Sequence, residues 1–152
     1  TVNGADQAEF WGSFRVGRRP AVEHTCKSSE EALEVRVRHD GFSWMEGKPI
    51  HQRSVQCSID QLQVRDEVTA RGIRHEVCAR LLLHPDVEVV DHGQSLTMTV
   101  SGSALTLETE ATIRLRRVEW FPRFGEARET TQVVLDYGST PVSSGFRLRV
   151  IR

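Results

Sequence analysis

Nowhere in the 152 residues does an apolar run approach the roughly 18 residues that a membrane-spanning helix needs. Nor does any window of about 12 residues keep a 3.6-residue hydrophobic period, so no helix is expected. Cysteine is scarce. Cys26, Cys57 and Cys78 are odd in number and lack CxxC spacing, which argues against a disulfide framework or a structural zinc site and leaves free buried thiols as the simpler expectation. An excess of charge of one sign is missing too. Twenty basic and 21 acidic residues give a formal net charge of -1, with no global pull toward nucleic acid or membranes. The opening residues have neither a basic n-region nor an apolar h-region, so no signal peptide is read there. The chain starts without methionine on what reads as a strand, as expected of a processed protein or a piece of a longer one.

Signatures of catalysis are equally sparse. There is no GxSxG and no glycine-rich phosphate loop, and no cysteine has a base near it in sequence. The six histidines, His24, His39, His51, His75, His84 and His92, form neither HxH nor HExxH. Ligands in β-proteins can come from distant strands, so spacing alone does not exclude a metal.

What is present is alternation. Leu33, Val35 and Val37 are apolar while Glu34, Arg36 and Arg38 are charged, the period of a strand with one buried and one wet face. His39-Asp40-Gly41 ends that strand, an aromatic excursion through Phe42 and Trp44 follows, and Gly47-Lys48-Pro49 turns the chain into an extended run from Ile50 to Ile59. Before it, an Asn3-Gly4 turn follows a strand tail, and extended segments are predicted over 10–16, with a bulge near Gly12, and over 20–26. Later strands are read at 62–68, 75–84, 87–90, 95–100, 104–107, 109–117, 130–137 and 146–151. The 109–117 strand is expected to break at Trp120-Phe121-Pro122. Asp66 interrupts an apolar face, as a bulge or a hydrogen-bonded inward carboxylate would. About ten to twelve short strands with a turn signal about every 8 to 12 residues predict one all-β domain over 1–152, an antiparallel sandwich or barrel.

Candidate sites are few. Asp6, Gln7, Trp11 and Arg15 form a compact polar and aromatic set suited to carbohydrate. Rings stack on sugar faces, and guanidinium groups grip carboxylate or sulfate bidentately. The same set is compatible with an ordinary edge segment whose Trp11 is core. His39 and His84 end strands, where a histidine bonded to backbone is the plain alternative. Arg18 and Arg19 read as a solvated turn, and Arg114, Arg116 and Arg117 as the wet face of a strand.

Three stretches resemble one family. TVNGADQAEFWGSFRVGRR is similar to the segment after the active-site histidine of heparinase II/III-type polysaccharide lyases, which lies in an H-N-T-V run followed by a D-G-x-D-Q-like turn and a W-G-x-F-R-V-like strand. RHDGFSWMEGKPIHQRSV resembles their H-D-G-Y hairpin, with Phe42 in place of the tyrosine, and LLLHPDVEV their L-H-P-D-V strand end. The resemblance implies the carboxy-terminal sandwich of a two-part bacterial enzyme whose amino-terminal α/α toroid holds the catalytic tyrosine and its asparagine or histidine partner. It implies β-elimination on a uronate-containing acidic polysaccharide lying between toroid and sandwich, with no catalytic residue in this chain and no activity from it alone. Asp6, Gln7, Trp11 and Arg15 would face that cleft. The resemblance also implies a structural divalent metal, zinc or calcium, with His39 as a ligand and Asp6 as its guessed partner. A periplasmic or secreted parent is favoured over a cytoplasmic one. A non-catalytic carbohydrate-binding or structural sandwich is the competing reading.

Overall fold

The computed structural model describes residues 1–12 and 15–151. Every regular element among them is a strand. The large sheet has eight strands in the order β3 (Val22–Ser28), β4 (Leu33–His39), β5 (Ile50–Cys57), β6 (Gln61–Thr69), β13 (Val142–Ile151), β10 (Ser103–Thr109), β9 (Ser95–Val100) and β8 (Glu88–Asp91). The small sheet has the order β11 (Thr112–Arg123), β12 (Glu126–Ser139) and β7 (Glu76–Leu82). A separate hairpin joins β1 (Phe10–Gly12) to β2 (Arg15–Val16). All neighbouring strands are antiparallel. The all-β fold expected from the alternation is what the chain forms, as the sandwich that the resemblance implied.

Alternation explains how the sheets meet. Val64, Leu96, Leu107 and Phe146 on the large sheet face Val133 and Leu135 on the small one, and Leu96 and Leu135 expose none of their surface. Burying such side chains drives the layers together, at roughly 1.5–3 kcal/mol for each large one. A second, smaller cluster lies at one end of the sandwich, where Val2, Phe42, Val68, Val77 and Val142 pack together. Val2 reaches it because residues 1–5 run along the free edge of β7. Val2 bridges Val77, the Asn3 N–H donates to the Glu76 carbonyl over 2.8 Å, and the Cys78 N–H donates to the Thr1 carbonyl. Asn3 and Gly4 both have positive φ, the two-residue turn that Asn-Gly favours.

Several expectations change. The break at Trp120-Phe121-Pro122 does not occur: β11 continues to Arg123 with only a register irregularity after Trp120, and Phe124-Gly125 is the hairpin turn. β11 is an edge strand, and an edge tolerates proline because its missing N–H need not pair. Thirteen strands form among the described residues, because 10–16 splits into β1 and β2, and the expected 138–144 link is mostly taken up by longer β12 and β13 strands. Ile59 falls in the β5–β6 turn, 92% exposed, rather than on the apolar face of β5. The register irregularity near Gly12 is found as expected, although Ser13 and Phe14 lie outside the described residues.

Leu135→Ala should cost about 3 kcal/mol, because the site is fully enclosed between the sheets and leaves a cavity. Urea unfolding should show this as a lower midpoint with an unchanged m-value. A loss below about 1 kcal/mol would mean that this interface is not the core.

Candidate functional site

Asp66 lies on β6 between Val64 and Val68 and shares their inward face, so its carboxylate enters the sandwich where the sheets open toward the second cluster. Only 2% of the residue is exposed. Four donors meet it. Arg53, its register partner on β5, donates from Nε to Oδ1 over 2.8 Å and from Nη2 to Oδ2 over 2.9 Å. His51 Nε2 donates to Oδ1 over 2.6 Å. The Tyr137 hydroxyl donates to Oδ2 over 3.2 Å from β12, on the opposite sheet. Burial alone would push the carboxyl up, but hydrogen bonds from His51 and Arg53 and the guanidinium charge hold it down at about 2. Burial and the neighbouring carboxylate push Tyr137 well above its ordinary value, so its hydroxyl stays a donor.

The line continues outward with a fixed direction. The Gly41 N–H donates to His39 Nδ1 over 3.2 Å, so that nitrogen carries no proton. His39 Nε2 must then be the protonated nitrogen, and it donates to His51 Nδ1 over 2.9 Å. His51 in turn holds its proton on Nε2, facing Asp66. Both rings are therefore neutral Nε2–H tautomers by elimination. Burial, then the nearby His51, lower His39 to about 4.

This line brings the strand-end turn to the amino-terminal segment. A Cβ on Gly41 would lie 2.6 Å from the Gln7 carbonyl, so only glycine allows the two segments to touch. Phe42 is buried in the second cluster with its ring tilted against His39. His75 ties the same loop from below. It donates from Nε2 to the Glu46 carbonyl and accepts from Asn3 Nδ2, each over 2.8 Å. Between these segments opens a cavity of about 470 Å³, with Asp6, Gln7, His51, Arg53, Asp66 and Tyr137 in its wall.

The residues expected from sequence separate into two places. Asp6 and Gln7 line the cavity. Trp11 and Arg15 sit on the exposed β1–β2 hairpin, where Trp11 is 68% exposed with its ring over Gly17, and a Cβ there would lie 2.5 Å from the indole. The hairpin leans on the loop through Arg18, which pairs with Glu9 over 2.8 Å and stacks over Trp44 at 4.7 Å. His39 stands one hydrogen bond behind the cavity wall. Both of its ring nitrogens are engaged, and among the described residues no group of three or more His, Cys, Asp or Glu side chains converges as a metal site. His51, Arg53 and Tyr137 were not singled out by sequence. Arg53 and His51 carry a signal in retrospect, since the β5–β6 turn fixes a register that sets Arg53 opposite Asp66.

The family model for the heparinase II/III-like C-terminal domain matches residues 1–145. Among solved structures, the heparan sulfate lyase HepC from Pedobacter heparinus superposes with a TM-score of 0.71 at 10% identity, covering 85% of this chain and 21% of that one. A heparinase III, the BT4657 gene product, gives 0.67 at 12% identity with the same coverages. The chain thus spans 21% of the length of these solved proteins. Among curated proteins, none matches it.

Replacing Asp66 by Asn leaves the Arg53 guanidinium without its carboxylate. The melting temperature should fall by roughly 6 to 12 °C, from a loss of about 3 kcal/mol. Tyr137→Phe removes one hydrogen bond and should cost about half as much. Calorimetry that finds Tyr137→Phe the more damaging would contradict this order. The pH dependence has a fixed sign. His39 and Asp66 both bind protons less readily folded than unfolded, so stability is complete above pH 6.5. It declines between 6.5 and about 4 for His39, and between 3.8 and about 2 for Asp66. Between pH 7 and 4 the unfolding free energy should drop by about 2 to 3 kcal/mol on account of His39, and His39→Gln should flatten that part of the profile. A wild-type profile already flat over this range would refute the buried neutral His39.

Proposed function

Because the chain belongs to the heparinase II/III-like C-terminal family, we propose that it is the sandwich portion of a polysaccharide lyase acting on uronate-containing chains by β-elimination. In this reading an α/α toroid of the same parent chain packs against the end of the sandwich bearing the cavity, and the sugar chain lies between them. The reaction neutralises the uronate carboxylate, removes the C5 proton and expels the C4 glycosidic oxygen. The proton-transfer groups belong to the toroid, so this chain supplies one wall and has no activity alone.

The observation carrying this reading is the convergence of two separate motifs on one cavity. Asp6 and Gln7 meet the His39-Asp40-Gly41 turn, and behind them stands a rigid, neutralised Asp66–Arg53 pair. That pair holds the wall without adding net charge, which leaves recognition of the sugar's carboxylate to exposed cations, with Arg15 the first candidate. Trp11 beside it offers a face on which a sugar ring can stack. The solved neighbours are named as a heparan sulfate lyase and a heparinase III, which supports the class of substrate without fixing which polysaccharide is cut. A structural metal is not used in this mechanism.

A second reading, a non-catalytic carbohydrate-binding module, draws on the exposure of Phe10 and Trp11, at 67% and 68%. Absorbance of unsaturated uronate products separates the two. The 152-residue chain alone should release none from heparan sulfate or alginate, while the longer protein with its helical toroid should release them, with Arg15→Ala raising KM several-fold. Product from the isolated chain would overturn the division of labour. A longer protein that cleaves no uronate polysaccharide, with oligosaccharide binding by the isolated chain lost in Trp11→Ala, would establish the module instead.

A further inference from the structure

The outer face of the small sheet carries a row of cations that the cavity does not explain. Ala79 and Leu81 on β7, Val133 and Leu135 on β12, and Ile113 on β11 point into the core. By alternation, Arg80, Val134, Arg114 and Arg116 point away from it. Val134 is the register partner of both Arg80 and Arg114, so the two arginines flank it in one cross-strand row, two strand spacings or roughly 9.5 Å apart. Arg116 lies one row further along the same face, paired with Gln132. Val134 keeps only 2% of its surface exposed although it faces outward, and a shallow depression of about 160 Å³ over it is lined by the three arginines with Glu76 and Asp136.

Charge on this face is incompletely matched. Arg114 pairs with Asp136 over 2.5 Å. Among the described residues Arg80 and Arg116 have no ion-pair partner, whereas Arg36, Arg38 and Arg65 on the outer face of the large sheet each have one. The row is also continuous with the site. Arg80 lines the 470 Å³ cavity as well as this depression, and Arg116, with Arg117, lines a groove between the β11 edge and residues 85–89.

We infer that Arg80, Arg114 and Arg116 form an extended binding track for a linear polyanion, a sulfated or carboxylated polysaccharide that leaves the cavity at Arg80 and crosses the outer face of the small sheet. The class of ligand rests on the function proposed above; the location rests on the sheet register and the unpaired arginines. A nucleic acid is the poorer fit. The row of three arginines has no aromatic ring on which bases could stack.

Titration of the 152-residue chain with a heparin-derived hexasaccharide, over a series of salt concentrations, tests this. Arg80→Gln with Arg116→Gln should weaken binding on the order of tenfold and reduce the salt slope by about two, one for each cation removed. Arg36→Gln with Arg38→Gln, a matched loss of charge on the other sheet, should leave both quantities unchanged. Both double variants replace solvent-facing groups, and an unaltered melt confirms that the fold is kept. Three results would overturn the track: no binding at low salt, equal weakening by the two double variants, or tighter binding of an oligothymidylate through the same arginines. Failure of the lyase reading shows up elsewhere, as a longer protein that cleaves no uronate polysaccharide, and leaves these binding outcomes as they are.

Discussion

A carboxylate placed inside a sandwich must be neutralised, and the way Asp66 is neutralised shapes this molecule. An isolated buried charge would cost several kcal/mol or would take up a proton. Here a bidentate guanidinium, an imidazole and a phenol fill its lone pairs. Three of the four donors come from the adjacent strand and one from the facing sheet, so the carboxylate fastens the two layers where the apolar core gives way to the smaller end cluster. The sheets can stay slightly apart there, around a cavity, without losing their relative position.

The same requirement propagates outward. Asp66 accepts only if His51 carries its proton on Nε2, and the Gly41 N–H, by donating to His39 Nδ1, makes His39 the donor and His51 Nδ1 the acceptor between the rings. The Gly41 N–H completes the sequence and places the turn against the Gln7 carbonyl. Each ring has one hydrogen-bonding role left once its neighbour is fixed, so a buried ion pair determines the position of a surface loop. His75, held between Asn3 and Glu46, does the same from the other side. A wall built this way is preorganised.

Much of this was legible in the sequence, and the reasons differ by residue. Alternation revealed strands such as β6, β7 and β9 because one face of each is buried, and it revealed Asp66 because a charged residue broke an apolar face; of the two readings offered for it, the inward hydrogen-bonded carboxylate is the one realised. His39 stood out as a strand-end residue, and its bond to the Gly41 backbone is the plain role weighed for it, with the link to His51 added. Tyr137 could not be found, because its contact with Asp66 joins residues 71 apart on opposite sheets. The break assigned at Pro122 failed because proline forbids a ladder bond only where a neighbour would accept it, and whether a strand lies at an edge depends on topology. The outward arginines were recognised as a wet face. That Arg80 joins them across Val134 follows only from the register of β7 on the β11–β12 hairpin, which is distant from it in sequence.

The most direct test of the central claim is the protonation state of the two relay histidines, read from ¹⁵N and ¹H NMR shifts of the imidazole rings in the folded chain. If the Asp66 cluster organises the wall, His39 and His51 are both Nε2–H tautomers at pH 7, with the His51 Nε2 proton strongly deshielded by its short bond to Asp66, and His39 shows no titration down to about pH 5. A His39 that titrates near 6.5, or that carries its proton on Nδ1, would mean that the line from Gly41 to Asp66 does not exist and that the loop is held by packing alone.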